Sequence, residues 1–168
     1  TWTCGQQSNK VDSPAVAVYT ADRTAVTFTV PATTPTAPTA QTQTVTYTAD
    51  KQTTILKYVD DANGRAQVDA SVPFTGTTGS NFRWSTDLPQ HYQLATGQAD
   101  SGTYTFAATG NAPIVVHLTH THTVTTKDAD YTVHYQGVTD GANPTDGQQQ
   151  ITWTGDTDDV TGKTTWTS

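Results

Sequence analysis

A chain of 168 residues is long enough for one domain with a modest core or for two small ones with thin cores. Only 33% of it is hydrophobic and 9% aromatic, while threonine occurs 39 times; β-branched threonine is stiff at χ1 and suits half-solvated pleated surfaces, so thin β-sheets are expected and deep burial is scarce. Eight basic against fifteen acidic side chains give a net charge of −7 with no Lys/Arg cluster, which excludes nucleic acid and anionic membrane as partners, and no apolar run approaches the roughly 18 residues of a membrane span.

Period-2 alternation, bounded by Gly, Pro, Asn and Asp, predicts the strands in chain order. The first three are Ala15–Tyr19, Ala25–Val30 and Thr42–Thr48, the last of them following the breaker-rich segment from Pro31 to Pro38. Thr53–Val59 then runs into Asp60-Asp61-Ala62-Asn63-Gly64, whose Asn-Gly pair favours a type I′ hairpin turn, and Ala66–Phe74 returns. From Gly76 through Trp84 and Leu88-Pro89 to Tyr92 the pattern is irregular and leaves room for one short helix. Gly102–Phe106, Ile114–Val124, Tyr131–Tyr135, Gln149–Thr154 and Lys163–Thr167 complete the strands, with Asp140-Gly141 and Asn143-Pro144 as turns between them. A mostly β chain with little helix is the expected class.

Short echoes suggest a unit of a tandem array. Thr1-Trp2-Thr3-Cys4 reappears as Thr165-Trp166-Thr167-Ser168, and Tyr19-Thr20-Ala21-Asp22 as Tyr47-Thr48-Ala49-Asp50. On that reading the single cysteine, Cys4, occupies a serine position as an idle thiol; it has no intrachain partner and no CxxC metal motif exists.

Three of the five histidines, His117, His120 and His122, fall within six residues. In a strand His117 points to one face and the other two to the opposite one, about 6.5–7 Å apart, so a metal would need a third ligand that the sequence does not identify. A place in an ordinary strand is the favoured account. Asp156, Asp158 and Asp159 concentrate hard oxygen ligands in one loop and are the candidate calcium ligands, although the EF-hand spacing is absent. Asp60, Asp61 and Asn63 form a smaller cluster already explained by turn geometry. Nothing resembles a nucleophile elbow, a phosphate loop or a zinc-protease helix, so no enzyme activity is expected and no catalytic residue is named.

A family resemblance rests on residues spread over nearly the whole chain. Tyr47-Thr48-Ala49-Asp50-Lys51-Gln52, Ile55–Gly64, Phe74–Gly79, Leu88-Pro89, Tyr92-Gln93-Leu94 and Val116–His120 resemble, in that order, the mucus-binding (Mub, or MucBP) repeat of surface adhesins from lactic-acid bacteria. Tyr131–Tyr135, Gln149–Thr154 and Asp159–Lys163 are similar to the companion B2-type domain of the same repeats. The resemblance implies an elongated arrangement of a β-grasp (ubiquitin-like) module at 49–120, flanked by 1–48 as the C-terminal half of one B2-type domain and 121–168 as the N-terminal half of another. It also implies a secreted, wall-anchored protein of a Gram-positive bacterium that adheres to mucin glycoproteins beside neighbouring repeats, with no obligatory cofactor. Immunoglobulin binding through open sheet edges, or a passive spacer role, are the alternatives.

For glycan binding, bulk attraction is absent at this net charge, so affinity must come from local hydrogen bonds and from sugar faces resting on aromatic rings. Trp84, Tyr92, Trp153 and Trp166 are the candidate ligand-binding residues.

Overall fold

The computed structural model describes residues 7–30, 40–139 and 141–168. Thr1–Cys4, the Pro31–Pro38 breaker segment and Asp140 of the expected turn lie outside them. The chain packs as two compact units, one of Thr1–Leu56, Val72–Trp84 and Gly102–Ile114, the other of Lys57–Ser71, Ser85–Ser101 and Val115–Ser168. The chain is mostly β, and among the described residues the one helical element is a 3-10 turn at Asp61–Asn63.

In the first unit, β1 (Gln7–Asp12) pairs antiparallel with β3 (Ala25–Val30), and β2 (Tyr19–Ala21) with β4 (Tyr47–Ala49). The strand expected at Ala15–Tyr19 is instead a turn, closed by the Tyr19 amide donating to the Val16 carbonyl at 3.1 Å. It places Val18 at φ 62°, a conformation that costs a β-branched residue dearly. The strand expected at Thr42–Thr48 shrinks to β4, because only its last residues find a partner in β2.

The start of β5 (Lys51–Asp60), the end of β6 (Ala66–Thr77), β7 (Asn81–Ser85) and β9 (Ser101–Thr105) supply this unit's core. Phe106 and Leu56 are fully buried, and Phe82 stacks on Phe74 at 4.4 Å between ring centroids while lying 5.4 Å from Phe106. Tyr104 meets Phe106 edge-on at 5.6 Å. Offset and edge contacts of this kind are the favoured aromatic geometries. β7 pairs with β9, so the irregular stretch after Gly76 is extended chain where a short helix had room. Gly76 is glycine because a Cβ there would collide with the Phe106 ring.

The second unit takes the end of β5, with β8 (Tyr92–Leu94), β10 (Ile114–His120), β11 (His122–Val133), β12 (Gly147–Asp158) and β13 (Thr164–Thr167). Four strands hydrogen-bond in the order β6-β5-β10-β8. β5 leaves through the 3-10 turn, capped by the Asp60 carboxylate accepting from the Ala62 amide at 2.9 Å, and Gly64 and Arg65 adopt φ 61° and 63° to complete the reversal. The Asn-Gly signal therefore marks the reversal but not the two-residue type I′ geometry. Tyr58, Val59, Val116 and Leu118 are buried here. Three further strands form the sheet β11-β12-β13, with twelve antiparallel residue pairs between β11 and β12.

The expected single strand Ile114–Val124 is two strands, because Thr121 leaves the ladder between β10 and β11. Its amide donates to the His91 carbonyl at 2.9 Å and its carbonyl accepts from the Asp159 amide at 3.0 Å.

Candidate functional site

Two features of the second unit carry chemistry. The first is a buried polar cluster at the end of β10. In that strand Val116, Leu118 and His120 alternate onto the covered side, so His120 enters the interior in phase with two fully buried aliphatic residues. Its Nε2 lies 2.9 Å from Asp60 Oδ2 and its Nδ1 2.7 Å from Asp158 Oδ2. Carboxylates only accept, so two such partners require both ring nitrogens to donate, which is the imidazolium form. Hydrogen bonds donated to Asp60 and then to Asp158 raise the His120 pKa above its ordinary value, outweighing burial, which opposes the charge. Burial pushes Asp60 up, but His120 and the Ala62 amide outweigh it and the net shift is downward. Asp158 is held well below the usual carboxylate range, first by His120 and then by the Thr161 and Val160 amides.

Tyr92 closes the cluster from β8. Its ring meets His120 edge-on at 5.5 Å, and its hydroxyl points to Asp60 Oδ2 at 3.5 Å. Burial and the neighbouring Asp60 charge raise its pKa. The other histidines of the cluster seen in the sequence have separate carboxylates: Asp61 lies 2.7 Å from His117 Nδ1, and Asp156 lies 2.9 Å from His122 Nδ1. Both nitrogens of His120 are occupied, so it has none free for a metal or for general-base work.

The candidate calcium loop is similarly engaged with the protein. Asp158 Oδ1 accepts from the Val160 and Thr161 amides at 2.9 and 3.0 Å. The two carboxylate oxygens of Asp159 accept from the Thr121 and Thr123 hydroxyls, each at 2.6 Å, which lowers the Asp159 pKa. Among the described residues no group of three or more His, Cys, Asp or Glu side chains is arranged to hold a metal ion.

The second feature is the aromatic side of the β11-β12-β13 sheet. Trp153 on β12 is half-buried, and Trp166 on β13 pairs across to Gly155 and is 43% exposed. Gly155 has to be glycine: a Cβ there would come within 2.9 Å of the Trp166 ring. The register thus brings Trp153 and Trp166 to one side of one sheet. Trp84 belongs to the other unit, half-buried against Gly102 on β9, and Tyr92 turns inward on His120. The His120 bridge is the feature that sequence reasoning passed over, although the alternation Val116, Leu118, His120 marks the histidine as inward-facing.

Comparison with solved structures gives a match to a chain described as "Crystal structure of Mub-RV", 24% identical, covering 69% of this chain and 72% of that one, with a TM-score of 0.39. This chain is similar to Mub-RV. No known protein family's model matches the sequence. No curated protein matches it. Among the described residues no helix is long and apolar enough to cross a membrane.

Proposed function

We propose that this chain is a repeat unit of a bacterial cell-surface adhesin that binds mucin glycoproteins by many weak contacts to their glycans. The observation that carries the reading is the aromatic side of the three-stranded sheet, where Tyr131 is 47% and Trp166 43% exposed. An indole or phenol face left in water is a platform for the apolar face of a pyranose ring, and the threonine and glutamine side chains beside it supply hydroxyl partners. The ordered sequence blocks that resemble mucus-binding repeats support the same reading, and with it the division at 49–120 and 121–168. A single shallow platform binds weakly; linked copies turn each later contact into an intramolecular one, so avidity does not require a deep pocket. A surface location follows from this role, since mucin lies outside the cell.

A second reading is favoured by one other observation. β11 is the outer strand of its sheet, with twelve residues whose far edge has no partner strand among the described residues. Such an edge accepts an added strand, which is how a protein ligand such as an immunoglobulin would be held.

Capture of this chain on native mucin, deglycosylated mucin and immunoglobulin tests both. Retention by native mucin alone is the expected result. Equal retention by deglycosylated mucin, or capture by immunoglobulin only, transfers the function to the strand edge, and no retention by any of the three leaves the spacer role.

A further inference from the structure

The three-stranded sheet of the second unit is incomplete along one strand. β12 pairs with β11 along the whole of one edge, but β13 covers only Thr154–Thr157 of the other. The stretch Gly147–Trp153, of sequence Gly-Gln-Gln-Gln-Ile-Thr-Trp, therefore has an edge without a partner strand among the described residues, and no loop among them hydrogen-bonds to it through its backbone. Unpaired amides and carbonyls in a row are a template for another strand, and open edges are usually protected by charge, proline or a bulge. The outer edge of β11 carries Lys127, Asp128 and Asp130. Gly147–Trp153 has no charged residue and no proline, and its ladder with β11 runs without a bulge.

The sequence holds a strand matched to that gap. Thr165-Trp166-Thr167 of β13 recurs as Thr1-Trp2-Thr3. β13 sets Thr165 opposite Asp156 and Thr167 opposite Thr154, so an antiparallel ladder prolonged at this register takes each later residue one place further back along β12. With the two Thr-Trp-Thr copies aligned, Gln7, Ser8, Asn9 and Lys10 fall opposite Gln150, Gln149, Gln148 and Gly147. Those four residues open β1, which lies in a two-stranded sheet with β3 and whose outer edge has no partner strand among the described residues. A two-stranded ribbon is marginal by itself and gains from a third strand. The pairing sets Asn9 opposite Gln148, brings no like charges together and meets no proline before Pro14.

We infer that the Gly147–Trp153 edge of β12 is the docking site for β1 of a second copy of this chain, whose Gln7–Lys10 add antiparallel beyond β13 and bring β3 of that copy with them. The occupant is a second copy because the register comes from a segment of this same sequence that recurs in place, and not from a general affinity of open edges for strands. The contact is made by backbone at the edge of the sheet, so it is independent of the glycan reading, which concerns one of the sheet's sides. It joins two different surfaces, so a copy whose β12 edge is occupied still presents its own β1.

The test is sedimentation of the whole chain from low to high concentration, with amide hydrogen exchange followed at both ends of the range. The expected result is association that grows with concentration, with exchange slowed together at Gly147–Trp153 and at Gln7–Lys10. Asn9 and Gln148 are exposed, so charges placed there keep the fold, checked by the melting temperature of dilute protein. Asn9→Lys combined with Gln148→Lys sets like charges across the contact and is expected to weaken association about fivefold at low salt, the size of an exposed charge pair, whereas Asn9→Glu combined with Gln148→Lys sets opposite charges there and is expected to preserve it. The double-lysine chain carries the smaller net charge, so bulk repulsion works against the expected order. A chain that stays monomeric throughout, protection of Gly147–Trp153 that does not depend on concentration, or two double variants that associate alike overturns the inference. Association with exchange slowed along His122–Val133 in place of Gly147–Trp153 overturns it too, and assigns the contact to the β11 edge.

Discussion

β10 and β11 are consecutive strands separated by one residue, and they solve burial in opposite ways. In β10 every second side chain is interior, with Val116 and Leu118 wholly covered and His120 nearly so. In β11 all twelve side chains except Ala129 are exposed, including Val124, Tyr131 and Val133. Both strands contain valine and threonine, but β10 has a single threonine beside Ile114 and Leu118, whereas β11 has four threonines and the charged Lys127, Asp128 and Asp130. They differ too in what holds them. The covered side of β10 is aliphatic apart from His120, whereas β11 relies on a twelve-pair ladder with β12 and on cross-strand threonine, glutamine and aspartate bonds. One strand is held by dispersion and desolvation, the other by its backbone and by polar side-chain rungs. A region of the second kind can leave its apolar side open to a ligand.

The comparison is broken most directly at His120. Replacing it by alanine leaves the buried Asp60 carboxylate without its cation, and loss of one partner of a buried ion pair costs about 3–5 kcal/mol. A urea denaturation midpoint unchanged by His120→Ala would show that the bridge contributes nothing to the β10 region. Next in size, Leu118→Ala should cost about 2–5 kcal/mol by loss of buried surface and the cavity left behind. The matched change on the exposed strand, Val133→Ala, should stay within about 0.5 kcal/mol. Similar losses at both positions in the same denaturation series would erase the distinction drawn here.

pH sharpens the same contrast. The His120 pKa is raised in the folded state, so its stabilisation is fully present below the ordinary histidine value of 6.5 and is lost as pH rises through the raised folded value. Asp60 and Asp158 are lowered, so their contribution is present above the ordinary value of 3.8 and fades as pH falls through the lower folded values. Melting temperatures across this range should pass through a plateau with a decline on each side, and His120→Gln should flatten the alkaline decline. A wild-type profile that stays flat as pH rises would argue for a neutral imidazole. The smallest expected effect is at the sheet: Trp166→Ala removes a ring already 43% exposed, and should cost about 1 kcal/mol or less while increasing hydrogen exchange only near Thr154–Thr157.

Legibility in the sequence followed the locality of the cause. Ala25–Val30 was readable in full, because alternation and flanking turns are local signals, and the β class followed from threonine content alone. β1, with the sequence Gln-Ser-Asn-Lys-Val-Asp, shows no alternation and becomes a strand because β3 lies beside it. Val18 defeats the pattern for Ala15–Tyr19 through a turn closed three residues back, a cost that propensity does not register. At the site, the shared side of Ile151 and Trp153 is visible as period-2 spacing, whereas Trp166 joins them only through its register with Gly155. The contact of His120 with Asp158 spans 38 residues and with Asp60 spans 60, so no window of sequence contains it.

Thr121 has a further consequence as a mechanical part. It is the single covalent link between β10 and β11, so a pull transmitted along the chain must pass through that one residue. Beside it run three parallel straps to the far end of β12 and the residue after it: Thr121 and Thr123 to the Asp159 carboxylate, and His120 to Asp158. The Thr121 carbonyl adds a fourth through the Asp159 amide. Load arriving at the link is divided among these bonds, which must fail together before the strands part. Under tension the joint behaves as a stiff coupling, and stretch is taken up first in parts of the chain that have no such straps.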